Sequence, residues 1–225
     1  MNAEPLIAIS PHLDDAVLGC GQVLAAHPGS VVVTLFAGRP PAEQPLTSWD
    51  ARAGFEAGDD VVGTRRLEDA EAVRALRATP CWLEFRDAQY GGCAEPLGAV
   101  TAALASVLAR LPGPVVFGPL GLFHADHRRA REALLAVRAR APRARDWFLY
   151  ADAIYRAEPG AVDAVLAELR RRRICARPVA LPTGCLAHKL AAISHYRSQI
   201  RALGRSYRTG MADARRPERF WRLEA

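Results

Sequence analysis

Apolar residues along this chain fall into short solid blocks, separated by longer segments with helical spacing. Leu6 to Ser10 has no polar alternation, which predicts a strand buried on both faces, as in a parallel sheet. Val17 to Ala26 reads as a helix, His27-Pro28-Gly29 as a break, and Val31 to Ala37 as a second strand rich in β-branched residues. That opening is a βαβ unit with a right-handed crossover. Gly38 to Thr47 is proline-rich and reads as a surface loop. Helices are predicted over Trp49–Ala57 and Leu67–Leu76, a strand over Cys81–Phe85, a loop over Asp87–Pro96 and an alanine-rich helix over Leu97–Arg110. Pro112-Gly113-Pro114 stops that helix, and Val115–Gly118 is another buried strand.

The loop Gly118–Ala125 then leads into a helix opening at Asp126 or His127 and running to about Arg140. A strand at Trp147–Tyr150, a helix from about Ala161 to Arg173, a strand at Ile174–Leu181 and a helix over Cys185–Leu203 complete the pattern. Alternating strands and helices predict a three-layer α/β (αβα) domain with a mostly parallel, Rossmann-like sheet. One domain is expected to span residues 1–225, with a basic, partly irregular C-terminal region from about residue 204.

Two polar clusters follow predicted strands directly. The first is Ser10-Pro11-His12-Leu13-Asp14-Asp15-Ala16 and the second is Phe123-His124-Ala125-Asp126-His127. Ligands of such sheets bind beyond the carboxyl ends of the strands, where strand order reverses, so both clusters are placed to meet there. His12, Asp15 and His127 compose a divalent-metal site with coordination positions left open, as a catalytic site requires. Asp14 lies between two of these ligands and is free to take a proton from a metal-activated water, which makes it the candidate general base. If His124 and His127 both bound the metal, the site would be nearly closed. His124 is therefore assigned to the oxyanion or to protonation of the leaving amine, and Asp126 to holding a histidine in its tautomer.

Composition narrows the class. No apolar run approaches the roughly 20 residues that span a bilayer, and Met1-Asn2-Ala3-Glu4-Pro5 lacks the features of a signal peptide, so a cytoplasmic location is expected. The five cysteines are odd in number and scattered, which predicts core thiols rather than disulfides or a thiolate zinc site. The net charge of +6 is uneven: residues 170–225 hold thirteen Arg and Lys189 against Asp213, Glu218 and Glu224, a net of +11. A basic tail can bind nucleic acid. However, Arg outnumbers Lys 29 to 1 over the whole chain, which marks a compositional bias and a solvated face, so no nucleic-acid partner is expected.

The two clusters resemble those of the N-acetylglucosaminylphosphatidylinositol de-N-acetylase-like family, the PIG-L or LmbE-like zinc deacetylases. The family's H-P-D-D-E motif corresponds to His12-Leu13-Asp14-Asp15-Ala16, and its H-P-D-H motif to His124-Ala125-Asp126-His127. The resemblance implies zinc on His12, Asp15 and His127, Asp14 as general base, and His124 as electrophile or acid tuned by Asp126. Arg65-Arg66-Leu67-Glu68-Asp69 resembles the family's R-x-x-E segment, which implies that Arg65 faces the sugar. Phe85 to Tyr90 resembles the segment in which an aspartate, here Asp87, lines the substrate pocket. Lys189 to Gln199 resembles the late Y-x-S-Q helix. Leu13 and Ala16 depart from the first motif, and Leu122 stands where some members place an oxyanion-contacting Tyr.

The expected activity is metal-dependent removal of an N-acetyl or related N-acyl group from an amino sugar or glycoconjugate. Zinc is the expected ion, with Fe2+ or another divalent metal fitting the same donors. Two other classes share single features with this chain: a non-haem iron enzyme, which uses the same triad, and a basic nucleic-acid-binding module. The iron oxygenases are mostly all-β, which the strand–helix alternation opposes.

Overall fold

A computed structural model describes residues 4–92, 95–111, 113–140, 144–206 and 210–224. Cys93, Pro112 and the first three residues, which entered the reading above, lie outside the described residues. Seven strands form one sheet: β1 (Ile7–Ser10), β2 (Val31–Thr34), β3 (Thr79–Trp82), β4 (Val115–Pro119), β5 (Asp146–Tyr150), β6 (Ala176–Val179) and β7 (Phe220–Leu223). Their order is β3-β2-β1-β4-β5-β7-β6. The first five run parallel, and β7 is antiparallel to both β5 and β6. The expected mostly parallel α/β sheet is therefore present.

Alternation along the strands divides the core into two faces. Ala8, Val32, Phe117 and Phe148 pack with α1 (Asp15–Ala26), α3 (Val61–Ala75) and α7 (Leu186–Ile193). Ile7, Ile9, Val33, Val116 and Leu149 pack with α4 (Leu97–Arg110), α5 (Ala125–Arg140) and α6 (Ala161–Arg171). This is the three-layer arrangement: each strand is apolar on both sides because a helix layer covers each side. Two further helices, α2 (Ser48–Ala53) and α8 (Arg197–Ser206), pack on each other near the strand ends.

One close approach requires glycine. A Cβ on Gly19 would lie 2.5 Å from the Tyr150 ring, so α1 can lie on β5 only with glycine there. The Tyr150 hydroxyl in turn donates to the Ile9 carbonyl at 2.8 Å, joining β5 to β1.

Three expectations differ from the structure. The segment Cys185–Leu203 is two helices, broken at Ser194-His195-Tyr196, because α8 begins on a cap supplied from α3. The tail is less irregular than its composition suggests: Phe220–Leu223 enters the sheet between β5 and β6. Just ahead of it, Glu218 accepts hydrogen bonds from the backbone N–H groups of Gln22 and Val23 at 2.9 and 3.3 Å, and from Lys189 at 2.8 Å. Those two N–H groups are free because α1 kinks at Cys20, whose φ of −140° is not helical. Among the described cysteines core burial holds for Cys20 alone; Cys81 is half-buried, and Cys175 and Cys185 are exposed free thiols.

Candidate metal centre

The sheet order reverses between β1 and β4, which are neighbours although β2 and β3 intervene in sequence. The loop after β1 carries His12, Asp14 and Asp15, and the loop after β4 carries His124, Asp126 and His127. Both clusters therefore meet at the crevice that this reversal opens. Phe123 turns the second loop sharply: its φ is 55°, in the left-handed region, and the His124 N–H bonds to the Leu122 carbonyl at 2.6 Å. The next residue, His124, then faces the cleft and Asp126 and His127 start α5.

Asp15 Oδ2 sits 3.1 Å from His12 Nδ1 and 3.1 Å from His127 Nε2. His127 is 1% exposed, and its Nε2 is buried with the Asp15 carboxylate as its neighbour and no well-formed hydrogen bond. A buried imidazole nitrogen left unsatisfied is costly unless something occupies its lone pair. Nitrogens of His12, His124 and His127 all lie within 4.8 Å of one another. These donors fit a divalent ion.

A second grouping, His12, Asp87, His124 and Asp126, is equally compact. Its acids are already engaged. Asp126 accepts from the Ala88 N–H at 2.8 Å and from Arg129 at 3.2 Å; Asp87 accepts from the Gln89 N–H at 3.0 Å and from its side-chain amide at 2.9 Å. Asp15 is engaged as well, accepting the His12 N–H at 2.8 Å, but through Oδ2, the oxygen that also faces the His12 and His127 rings.

Asp126 pairs with a different histidine from the one its motif suggested. Its Oδ2 lies 3.1 Å from His12 Nε2 and 4.0 Å from His124 Nδ1, so it orients His12 rather than tuning His124. His124 is instead fixed by the backbone: its Nδ1 accepts the Asp126 N–H at 3.2 Å, which leaves the ring proton on Nε2.

The electrostatics separate the two carboxylates of the first motif. Burial, reinforced by the charge of Asp15, pushes Asp14 up to about 8, against the opposing charges of Arg65, His12 and His127. Burial acts the same way on Asp15, but His127 and His12 outweigh it and hold Asp15 far below the ordinary carboxylate range. Burial lowers His127, yet the charge of Asp15 and the contacts with Asp15 and Asp152 win and raise it to about 9. His124 goes the other way, to about 4, through burial and the charges of His12 and His127, so at neutral pH it is a neutral donor. Neighbouring carboxylates with opposite shifts are a mark of acid–base sites.

A cavity of about 200 Å³ opens onto these groups, lined by His12, Asp14, Arg65, Asp87, Tyr155 and Gln199 among others. Arg65 and Asp87 thus both reach the pocket. Arg65 is 5% exposed, its Nε has no partner, and its Nη1 is 3.9 Å from Asp87. Asp87 also caps the short 3-10 turn at Ala88–Tyr90. Sequence reasoning missed Asp152, whose Oδ1 is 2.5 Å from His127 Nδ1. It follows β5 as the two motifs follow β1 and β4, and that shared position was the available signal. Tyr155 was missed as well: its ring packs edge-on to His127 at 5.1 Å and beneath exposed Phe123 at 5.5 Å.

The family model for GlcNAc-PI de-N-acetylase (PIG-L) matches residues 7–138, more than half of the chain and both motif loops. The chain belongs to this family. Among solved structures, a deacetylase triple mutant from the teicoplanin biosynthetic pathway superposes with a TM-score of 0.79 at 27% identity, covering 98% of each chain. The A40926 pseudoaglycone deacetylase gives 0.78 at 25% identity, covering 98% of this chain and 97% of its own. A zinc-inhibited form of teicoplanin deacetylase, at 23% identity and 0.77 with 98% of each chain covered, shares the fold. No curated protein matches the sequence.

As a PIG-L family chain, it carries its departures where they cost little. Leu13 is buried and Ala16 lies in the α1 core, so neither faces the cleft. Leu122 is wholly buried in the opposite core face and offers the site no hydroxyl. Among the described residues no helix is long and apolar enough to cross a membrane.

Proposed function

We propose that this chain is a zinc-dependent deacetylase that hydrolyses an N-acetyl or related N-acyl group on an amino sugar or amino-sugar conjugate. The observation that carries the reading is the meeting of His12, Asp15 and the buried His127 Nε2 beside Asp14 in one cleft. Family membership and two deacetylases at 25% and 27% identity support the reaction class. The ion on His12, Asp15 and His127 would supply Lewis acidity for the amide carbonyl and a lowered pKa for the attacking water.

This chain's own residues supply the proton handling. Asp14 takes the proton of the attacking water; burial raises it to about 8 in the metal-free site, and the charge of a bound ion would lower it toward the ionised form that a base needs. His124, neutral and protonated on Nε2, donates a hydrogen bond where negative charge develops on the carbonyl oxygen. Leu122, in place of a tyrosine, offers no hydroxyl for that task. Asp14, once protonated, returns its proton to the leaving amine. Arg65 and Asp87 line the cleft and bind the sugar's hydroxyl groups. The α/β sheet opposes the iron-oxygenase alternative. Several arginines of the C-terminal region pair with the chain's own acids, for example Arg177 with Glu224, Arg197 with Glu71 and Arg222 with Asp146.

The test is acetate release from a panel of N-acetylated amino sugars and conjugates, using protein stripped by a chelator and then reloaded with zinc or iron(II). Turnover restored by zinc on an amino sugar is expected. Stoichiometric zinc with no turnover on any member would remove the substrate claim.

A further inference from the structure

We infer that Asp152 is a positioning residue that sets the tautomer of His127, keeping the proton on Nδ1 and the Nε2 lone pair turned toward the ion. The inference rests on the metal-site reading above. Asp152 is 1% exposed and follows β5, the strand beside β4. Both of its oxygens are committed. Oδ1 lies 2.5 Å from His127 Nδ1, and Oδ2 accepts the backbone N–H groups of Gly121 and Leu122 at 2.9 and 3.1 Å. One carboxylate thus fixes the ring and also the loop that delivers His124 and His127. A ring nitrogen can offer its lone pair only if its proton sits on the other nitrogen, and a buried acceptor at Nδ1 enforces that choice.

Asparagine at this position separates tautomer control from packing. Two backbone donors face one oxygen of Asp152, so the amide carbonyl of Asn would turn to them and its NH2 group to His127. His127 Nδ1 would then have to accept, its proton would move to Nε2, and the lone pair would be lost to the ion. The shape of the side chain and the two backbone bonds would survive.

The experiment measures zinc and cobalt(II) affinity by chelator competition for the wild type, Asp152→Asn, His127→Ala and the double variant, with the metal-free melting temperature of each. Losing an outer partner of a ligating histidine typically costs 10- to 100-fold in affinity. The expected result is a loss of at least tenfold for D152N, a large loss for H127A, and less than a twofold further effect of D152N in the H127A background. D152N binding within twofold of wild type while H127A binds poorly would overturn the inference, as would an equal loss from D152N whether or not His127 is present. The second comparison keeps the test valid even if D152N melts at a lower temperature. H127A binding as tightly as wild type would instead overturn the ligand assignment, and the inference with it.

Discussion

Glu68 accepts two hydrogen bonds from Ser198, one from its backbone N–H at 3.0 Å and one from its hydroxyl at 2.6 Å. The first of these caps α8, and the neighbouring Asp69 accepts the Tyr196 hydroxyl at 2.7 Å. Two segments that look independent in sequence, Arg65–Asp69 and Tyr196–Gln199, are thus one polar seam. The seam also serves the cleft, because Arg65 and Gln199 line it. Glu68→Ala would leave two buried donors unpaired, at about 1–3 kcal/mol each. The expected outcome is a melting temperature lower by several degrees, seen by calorimetry, with a raised KM as Gln199 loosens.

Asp69 makes stability depend on pH in an unusual direction. Burial raises it to about 6, despite hydrogen bonds from Trp82 and Tyr196 and the charge of Arg65. A carboxyl group whose folded pKa exceeds its unfolded one, about 3.9, binds more protons when folded. Its stabilising contribution is complete below about pH 4 and is lost as pH rises through about 6. The gap between about 6 folded and about 3.9 unfolded corresponds to about 3 kcal/mol. Asp69→Asn should flatten the stability curve between pH 4 and 6 relative to wild type, whatever its absolute stability. Urea unfolding across that window reads the difference in slope, and parallel curves would refute the assignment.

Metal binding should release protons. In the metal-free protein His127 titrates near 9, and His12 is held well above its ordinary value because the Asp87, Asp126 and Asp15 carboxylates outweigh burial. His127 is therefore mostly protonated at pH 7.5, and ligation requires it neutral. Affinity should rise steadily between pH 6 and 9. Titration calorimetry in buffers of different ionisation enthalpy should show proton release on zinc binding at pH 7.5, and no release would contradict this protonation scheme.

How much of this was legible beforehand follows from where the signals lie. The strands β1, β2 and β4 are solid apolar runs because both sheet faces are covered, and the metal-type residues sit directly after two of them. Short range suffices to see both. The break at Ser194–Tyr196 was hidden because its cause, the Glu68 carboxylate, lies 130 residues away in sequence. Strand β7 was hidden for the same reason: Phe220-Trp221-Arg222-Leu223 is a strand only because β5 and β6 offer it edges. Asp152 stands alone in sequence, and only the β4–β5 pairing brings it beside His127.

The base assignment predicts a specific separation between binding and turnover. Asp14 makes no side-chain cap bond to α1, so Asp14→Asn should fold normally. The decisive measurement is acetate release by wild type and D14N on the best amino-sugar substrate, with zinc content determined in the same samples. At equal zinc occupancy D14N should be slower by roughly 100- to 10,000-fold in kcat. D14N turning over at near wild-type rate with zinc bound would contradict the account.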